Sequence, residues 1–120
     1  RRTDPYEEET INRLNIKKIN LWDMEYRTNE SLQKIDDFIG NDIVHISFDV
    51  DVLDPNVMPS TGTPVGHGMT INTAKGLFDM LKYKNISNMD IAELNLSVGS
   101  KKEKMKSLNS LFYILDDYIA

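Results

Sequence analysis

The chain has 120 residues, of which 40% are hydrophobic and 28% are charged, and its formal net charge is −5. This composition is typical of a globular protein, and the length suits one small domain. The negative charge argues against nucleic acids and anionic membranes as partners, and no apolar run approaches the ~18 residues that cross a bilayer. Cysteine is absent, which excludes disulfides and thiol chemistry, so we expect a reducing, cytoplasmic location.

The first predicted helix begins at Asp4, a typical N-cap residue. Pro5 follows at the first helical position and Glu7 completes a capping box. We expect this helix to end near Asn15. Residues 18–22 are then predicted to form a short strand.

A second helix and the central strand follow. The helix is predicted to begin at Thr28 or Asn29 and to close at Gly40. Its apolar face is formed by Leu32, Ile35, Phe38 and Ile39. Residues 43–49 are rich in β-branched residues and predict a strand that ends in a group of acids.

Residues 50–69 form a long irregular connection that holds all but one of the four prolines and three of the six glycines. A loop of this length inside a compact domain is usually functional or disordered, and the acids at its start favour function. Helix returns over residues 70–83, with Ala74, Leu77, Phe78 and Leu81 on one face.

The last two predicted elements are a strand over residues 89–95 and a terminal helix. Ser100 and Glu103 form a second capping box at the start of this helix. Its apolar stripe consists of Met105, Leu108, Leu111, Phe112, Leu115 and Ile119. We predict that these helical methionine and aromatic stripes lie in the core.

The alternation of helices and strands predicts an α/β fold, with a parallel sheet, right-handed crossovers and helices on both faces. Ligands of open parallel sheets bind at the carboxyl ends of the strands. Asp49, Asp51 and Glu93 all lie at such ends. The topology therefore predicts an acidic site at that edge.

The acids after the central strand suit a hard cation. Asp49 and Asp51 are separated by one residue, which puts both side chains on one face of an extended backbone. Their carboxylates suit Mg²⁺, Ca²⁺ or Mn²⁺, although such acids are also common as solvated loop residues. An EF-hand is excluded, because the sixth position is Asp54 instead of glycine and the twelfth is Ser60 instead of glutamate. Asp54 precedes Pro55 and is expected to bond backbone N–H groups in a turn.

Residues 47–55 (SFDVDVLDP), followed by residues 61–64 (TGTP), resemble the metal-binding signature of the arginase, or ureohydrolase, family. The resemblance implies a three-layer α/β/α fold with a mostly parallel sheet. It also implies hydrolysis of L-arginine to L-ornithine and urea at a centre of two Mn²⁺ ions. Family chains are more than twice this length, and this one begins without methionine. We therefore expect residues 1–120 to be the C-terminal part of a single arginase-like domain, incomplete in this chain.

The resemblance also implies roles for individual residues. Asp49 would bridge both metals in catalysis and Asp51 would bind one of them. Residues 90–95 resemble the family's segment Asp-x-x-Glu-x-Asn-Pro, in which the glutamate accepts the substrate guanidinium, so Glu93 is a candidate catalytic and substrate-binding residue. Leu96 stands where the family has proline. The family's other metal ligands, two histidines and two aspartates, lie upstream, so we expect the isolated chain to be inactive.

Further substrate-binding candidates are Thr63, Asp4 and Glu7. Thr63 matches a residue beside the guanidinium, although a structural turn would also explain it. Asp4 and Glu7 resemble the last two acids of the family's Arg-Asp-x-Asp-Pro-Gly-Glu stretch, which bind the substrate α-amino group. Arg2 and Tyr6 depart from that stretch, and the capping box alone also explains both acids.

Two histidines and the glycine positions raise further alternatives. Val52 replaces the family's usual glycine, and His67 lies in what is normally a glycine-rich turn. His67 could be a ligand or a proton shuttle, but the family's shuttle histidine comes from upstream. His45, between Val44 and Ile46, is expected to be a hydrogen-bonded core residue or to lie just outside the metal ligands.

Three other functions compete with an arginase. A non-catalytic relative with a structural or regulatory role would keep the sheet and lose the metals. An agmatinase would share the guanidinium chemistry, whereas a metal-dependent deacetylase would not be expected to carry the Thr-Gly-Thr-Pro loop. Family members commonly form trimers or hexamers, so the resemblance also implies a homo-oligomer.

Overall fold

The chain alternates helices with two parallel strands over residues 3–119, the part that the computed structural model describes. The helices are α1 (Pro5–Arg13), α2 (Leu21–Tyr26), α3 (Thr28–Ile39), α4 (Ile71–Leu81), α5 (Lys101–Ile114) and α6 (Asp116–Ile119). The strands are β1 (Ile43–Asp49) and β2 (Asn85–Ala92), and a 3₁₀ turn spans Val50–Val52. No helix within residues 3–119 is long and apolar enough to cross a membrane.

Side-chain caps set the beginnings of several helices. The predicted capping boxes at Asp4 and Ser100 are both confirmed, with reciprocal backbone–side chain bonds to Glu7 and Glu103. Asn20 is the N-cap of α2, and its side-chain oxygen accepts from the Asp23 N–H at 2.8 Å without a return bond. The strand predicted over residues 18–22 is therefore wrong. No strand pairs with this segment in the described chain, and the Asn20 cap begins a helix instead.

β1 and β2 pair in parallel, as predicted, in a register that runs from Ile43 opposite Asn85 to Asp49 opposite Ala92. β2 begins and ends earlier than its predicted span of residues 89–95. Its end has a local cause, because Glu93 adopts a left-handed φ of 69° that stops the extended backbone. The register therefore brings the carboxyl ends of both strands to one edge.

The two faces of this ladder differ in burial. Phe48, Ile46 and Met89 lie on the face that packs against the helices. The opposite face is exposed in residues 3–119, so the prediction of helices on both faces does not hold within this chain. His45 lies on the exposed face, with Nδ1 2.6 Å from Asn88 Oδ1 and Nε2 3.3 Å from an Asp90 oxygen. It is hydrogen-bonded as expected, but it is not a core residue.

The helical stripes enter the core only in part. Phe78 of α4 packs on Phe48 with ring centroids 4.9 Å apart, and Leu111, Ile114 and Leu115 are buried. The predicted stripes fail at Phe38, Met105, Phe112 and Ile119, which are all more than 49% exposed. Ser107 and Ser110 are buried on α5 in their place. For Met105 and Phe112, both on α5, the reason is the packing of the serine face of this helix against the loop, described below.

The connection between β1 and α4 is anchored at its root. The Asp54 N–H donates to the Met69 carbonyl at 3.0 Å, and the Met69 N–H donates to the Val52 carbonyl at 2.9 Å. Gly68 makes this return possible. A Cβ at that position would lie 2.5 Å from the Asp54 nitrogen and 2.7 Å from the Leu53 oxygen.

We predict that Gly68→Ala lowers the free energy of unfolding by about 1–3 kcal/mol, because the added methyl group meets backbone atoms that cannot rotate away. Gly66→Ala is the matched control, since a Cβ at Gly66 meets nothing within 4 Å, and it should change stability by less than about 0.5 kcal/mol. Urea unfolding followed by circular dichroism measures both. Equal effects of the two substitutions would contradict the close approach at Gly68.

Candidate metal and substrate site

The end of β1 presents two of the predicted metal ligands. The strand ends at Asp49, and the 3₁₀ turn begins at Val50. The Asp51 N–H donates to Asp49 Oδ1 at 3.1 Å. The pair is therefore joined through a turn, and the predicted reason for their proximity, a shared face of an extended strand, is wrong.

Electrostatics at this turn disfavour a second negative charge. Partial burial raises the pKa of Asp49, and the neighbouring Asp51 carboxylate raises it further, while the Asp51 backbone N–H acts in the opposite direction. A dication between the two carboxylates would relieve this repulsion, and oxygen ligands suit Mg²⁺ and Mn²⁺. The two residues therefore fit one side of a metal centre.

Thr63 completes this side of the site. Its hydroxyl donates to Asp51 Oδ2 at 3.0 Å. This bond restricts the orientation of the Asp51 carboxylate. The sequence predicted Thr63 as a substrate neighbour, and this hydrogen bond to a candidate ligand was not foreseen. Hydrogen bonds of this kind orient metal-binding carboxylates.

Glu93 lies at the same edge of the sheet. Ala92 pairs with Asp49, so Glu93 is the next residue beyond the end of the ladder. The backbone after it is tied to the loop, because Leu94 forms a bridge with Thr61 and the Asn95 N–H donates to the Ser60 carbonyl at 2.8 Å. The register and this bridge bring Asp49, Asp51, Thr63 and Glu93 to one edge.

Two energetically unfavourable features, at Glu93 and Thr61, lie at this edge of the sheet. Glu93 is one of three residues other than glycine with positive φ in the described chain, and such conformations store strain of about 1–3 kcal/mol. Thr61 is 1% exposed, and its hydroxyl has no hydrogen-bond partner among residues 3–119. Strain and an unpaired buried polar group commonly mark functional sites.

Asp54 takes the structural role that the sequence predicted. Its carboxylate accepts from the Asn56 N–H at 2.9 Å and from the Gly68 N–H at 3.1 Å. The bond from Asn56 is the main cause that lowers the pKa of Asp54, and the Gly68 bond and the nearby His67 lower it further. Asp54 therefore stabilises the root of the loop.

The remaining predicted residues lie in other contacts. Asp4 and Glu7 accept from each other's backbone N–H groups at 2.9 Å in the capping box, and both are exposed. Their substrate-binding role stays a prediction. His67 is exposed and adopts a left-handed φ of 57°. Within residues 3–119, no three His, Asp or Glu side chains are close enough to hold a metal ion.

Sequence reasoning missed the polar residues that support this edge. Ser60 and Thr61 carry no signal of burial, and their bonds run to residues far along the chain. Ser107 and Ser110 did carry a signal. With Leu111 and Ile114 they follow the i, i+3, i+4, i+7 spacing of one buried helix face.

We predict that Asp54→Asn destabilises the chain at neutral pH and that the effect fades in acid. The folded pKa is lowered, so the stabilisation is present above the unfolded value near 3.8 and is lost as the pH falls through the folded pKa. The expected loss at pH 7 is about 1–3 kcal/mol, which urea unfolding at pH 7, 4 and 3 measures. A difference that stays constant across this range would contradict the carboxylate's role.

This parallel ladder carries acids at its carboxyl edge, which is where open α/β sheets bind their ligands, and the arrangement is that of an α/β protein with a ligand site at the sheet edge. Comparison with known proteins makes the class specific. A family model described as "Arginase family" matches residues 1–112. The chain belongs to the arginase family.

Individual relatives are more than twice as long as the region they share with this chain. The arginase of Entamoeba histolytica is 35% identical over 81 residues, which cover 64% of this chain and 27% of that protein. An agmatinase of Sodalis glossinidius is 43% identical over 63 residues, which cover 52% of this chain and 20% of the relative. The matched segments thus cover about a fifth to a quarter of the length of these relatives.

The fold agrees with the family. The crystal structure of Entamoeba histolytica arginase in complex with L-ornithine superposes with a TM-score of 0.81 and 23% sequence identity, over 95% of this chain and 40% of that one. The predicted fold class, a three-layer α/β/α arginase-like fold that is incomplete in this chain, is confirmed.

Proposed function

We propose that this chain contributes one side of the active site of a binuclear manganese hydrolase that cleaves the guanidinium group of L-arginine to L-ornithine and urea. The observation that carries the proposal is the meeting of Asp49, Asp51, Thr63 and Glu93 at one edge of the sheet. Membership of the arginase family supports the ureohydrolase chemistry.

Asp49 and Asp51 are the residues that would hold Mn²⁺. Asp49 would be a metal ligand at the end of β1, and Asp51, oriented by the Thr63 hydroxyl, would be a second one. The chemistry that such a centre supplies is the activation of water as a nucleophile near neutral pH. The remaining ligands would come from outside this chain, since the resemblance implies two further histidines and two further aspartates upstream.

Glu93 would bind the substrate. A carboxylate accepts two parallel hydrogen bonds from a planar guanidinium, which fixes the orientation of the guanidinium carbon. Glu93 is exposed and lies one residue beyond the partner of Asp49, so it can face a ligand held at that edge. Thr63 would lie on the same side of the pocket.

The choice of L-arginine over agmatine rests on one support. The structural relative from Entamoeba histolytica was solved with L-ornithine, an amino acid. Asp4 and Glu7 would bind the α-amino group of L-arginine, but agmatine retains this amine, so the two acids do not separate the substrates. An agmatinase among the relatives keeps agmatine as the second candidate.

A trimer or hexamer is proposed on the resemblance alone, and a cytoplasmic location on the absence of cysteine.

A chimera tests the activity. The 120 residues of this chain replace the matching C-terminal segment of Entamoeba histolytica arginase, and urea release from L-arginine and from agmatine is measured with Mn²⁺. We expect urea from L-arginine, and kcat/KM should fall by a factor of about 30 or more in Glu93→Gln, because a charged partner of the guanidinium is lost. Glu30→Gln, an exposed acid of α3, is the matched control.

The result also separates the alternatives. A folded chimera that binds Mn²⁺ but releases no urea from either substrate would support the non-catalytic relative and overturn our proposal. Urea from agmatine alone would replace the substrate and keep the chemistry.

The chain by itself should be inactive and should bind Mn²⁺ weakly. Titration with EPR detection of free Mn²⁺ is expected to show weak binding that Asp49→Ala abolishes, whereas Asp37→Ala, an exposed acid on α3, leaves it unchanged. Two tightly bound ions per chain would contradict the division of ligands between this chain and another part of the protein.

A further inference from the structure

Helix α5 buries two serines where aliphatic side chains are expected. Ser107 is 0% exposed and Ser110 is 7% exposed. Both hydroxyls bond the backbone of the loop that leads to the candidate site, Ser107 to Ser60 and Ser110 to Val57. The helix therefore holds this loop by directional hydrogen bonds in addition to apolar packing.

The Ser107 hydroxyl both donates and accepts a hydrogen bond. It donates to the Glu103 carbonyl one turn back at 3.0 Å, and it accepts from the Ser60 N–H at 2.9 Å. Ser60 is 0% exposed, so water cannot replace this acceptor without a movement of the loop. Removal of the hydroxyl would leave a buried N–H without a partner, which is costly.

Ser60 is also the point where three segments meet. Its own hydroxyl donates to the Val98 carbonyl at 2.9 Å, and its carbonyl accepts from the Asn95 N–H at 2.8 Å. Three residues further along, the Thr63 hydroxyl bonds Asp51. The position of Ser60 thus sets where the chain enters the segment that orients Asp51.

We propose that Ser107 is a positioning residue for Asp51, acting through Ser60 and Thr63. The inference rests on the proposed function in one respect, the role of Asp51 as a metal ligand. Ser110 differs from Ser107 because it donates to the Val57 carbonyl, three residues before Ser60, at 2.7 Å. It secures the same loop without fixing the start of the Thr61–Thr63 segment.

This difference supplies a matched pair of substitutions. Ser107→Ala and Ser110→Ala each remove one buried hydroxyl from the same helix face and one helix–loop hydrogen bond. The 120-residue chain is measured by amide hydrogen exchange and by NMR torsion couplings of the Asp51 side chain, and neither method needs metal or substrate.

In Ser107→Ala we expect exchange of the Ser60 amide to accelerate by about 10- to 100-fold, relative to the amides of β1 and β2 as an internal reference. The Asp51 couplings should change from those of one rotamer towards an average. Ser110→Ala should leave both readouts unchanged against the same reference, and Ser107→Thr, which keeps the hydroxyl, should restore them.

A uniform acceleration of all amides in Ser107→Ala, with unchanged Asp51 couplings, would show that Ser107 only stabilises the fold and would overturn the proposal. Equal changes in Ser110→Ala would overturn it as well. If Ser107→Ala does not fold, exchange of the Ser60 amide is measured in the unsubstituted chain. Exchange as fast as that of an exposed amide would contradict the bond to Ser107 and overturn the proposal. Failure of Mn²⁺ binding would leave these results intact, so the two proposals fail separately.

Discussion

The close approach of Gly68 to the backbone of Leu53 and Asp54 is the constraint on which the candidate site depends. It brings the end of the loop back to its beginning, where Met69 forms backbone hydrogen bonds with Val52 and Asp54, the two neighbours of Leu53. It also turns the Asp54 carboxylate towards two backbone N–H groups. Of the three acids that follow the strand, this leaves Asp49 and Asp51 as those suited to a cation.

The far end of the loop is anchored by different physics. Apolar contacts at α5 would tolerate small shifts, because dispersion and hydrophobic burial have little directional preference. The hydrogen bonds of Ser107 and Ser110 have defined lengths and angles and therefore restrict position more closely. The Thr61–Thr63 segment follows this anchor directly and is held again at Thr61 by the bridge to Leu94, which explains how an irregular segment can present the Thr63 hydroxyl to Asp51.

Local signals in the sequence were sufficient for the helix starts at Asp4 and Ser100, for β1 and for the turn at Asp54, because each depends on residues within a few positions. The strand expected at residues 18–22 failed because a strand needs a partner, and none lies beside it in the described chain. The predicted stripe of α5 contained apolar residues only, whereas its buried face follows the i, i+3, i+4, i+7 spacing of Ser107, Ser110, Leu111 and Ile114. Hydrogen bonds to a loop that lies far away in the sequence bury the two serines. The bond from Thr63 to Asp51 spans twelve positions and has no local signature.

The location of unfavourable features distinguishes a functional site from a mere scaffold. Glu93 keeps a left-handed backbone that glycine would adopt without strain. Across the bridge from Leu94, Thr61 keeps a buried hydroxyl without a partner among residues 3–119, where valine would fill the same volume without an unpaired polar group. Neither feature stabilises the fold. Both lie at the edge where the neighbouring strand ends at Asp49, and the proposed guanidinium site would give the Glu93 carboxylate a reason to be there.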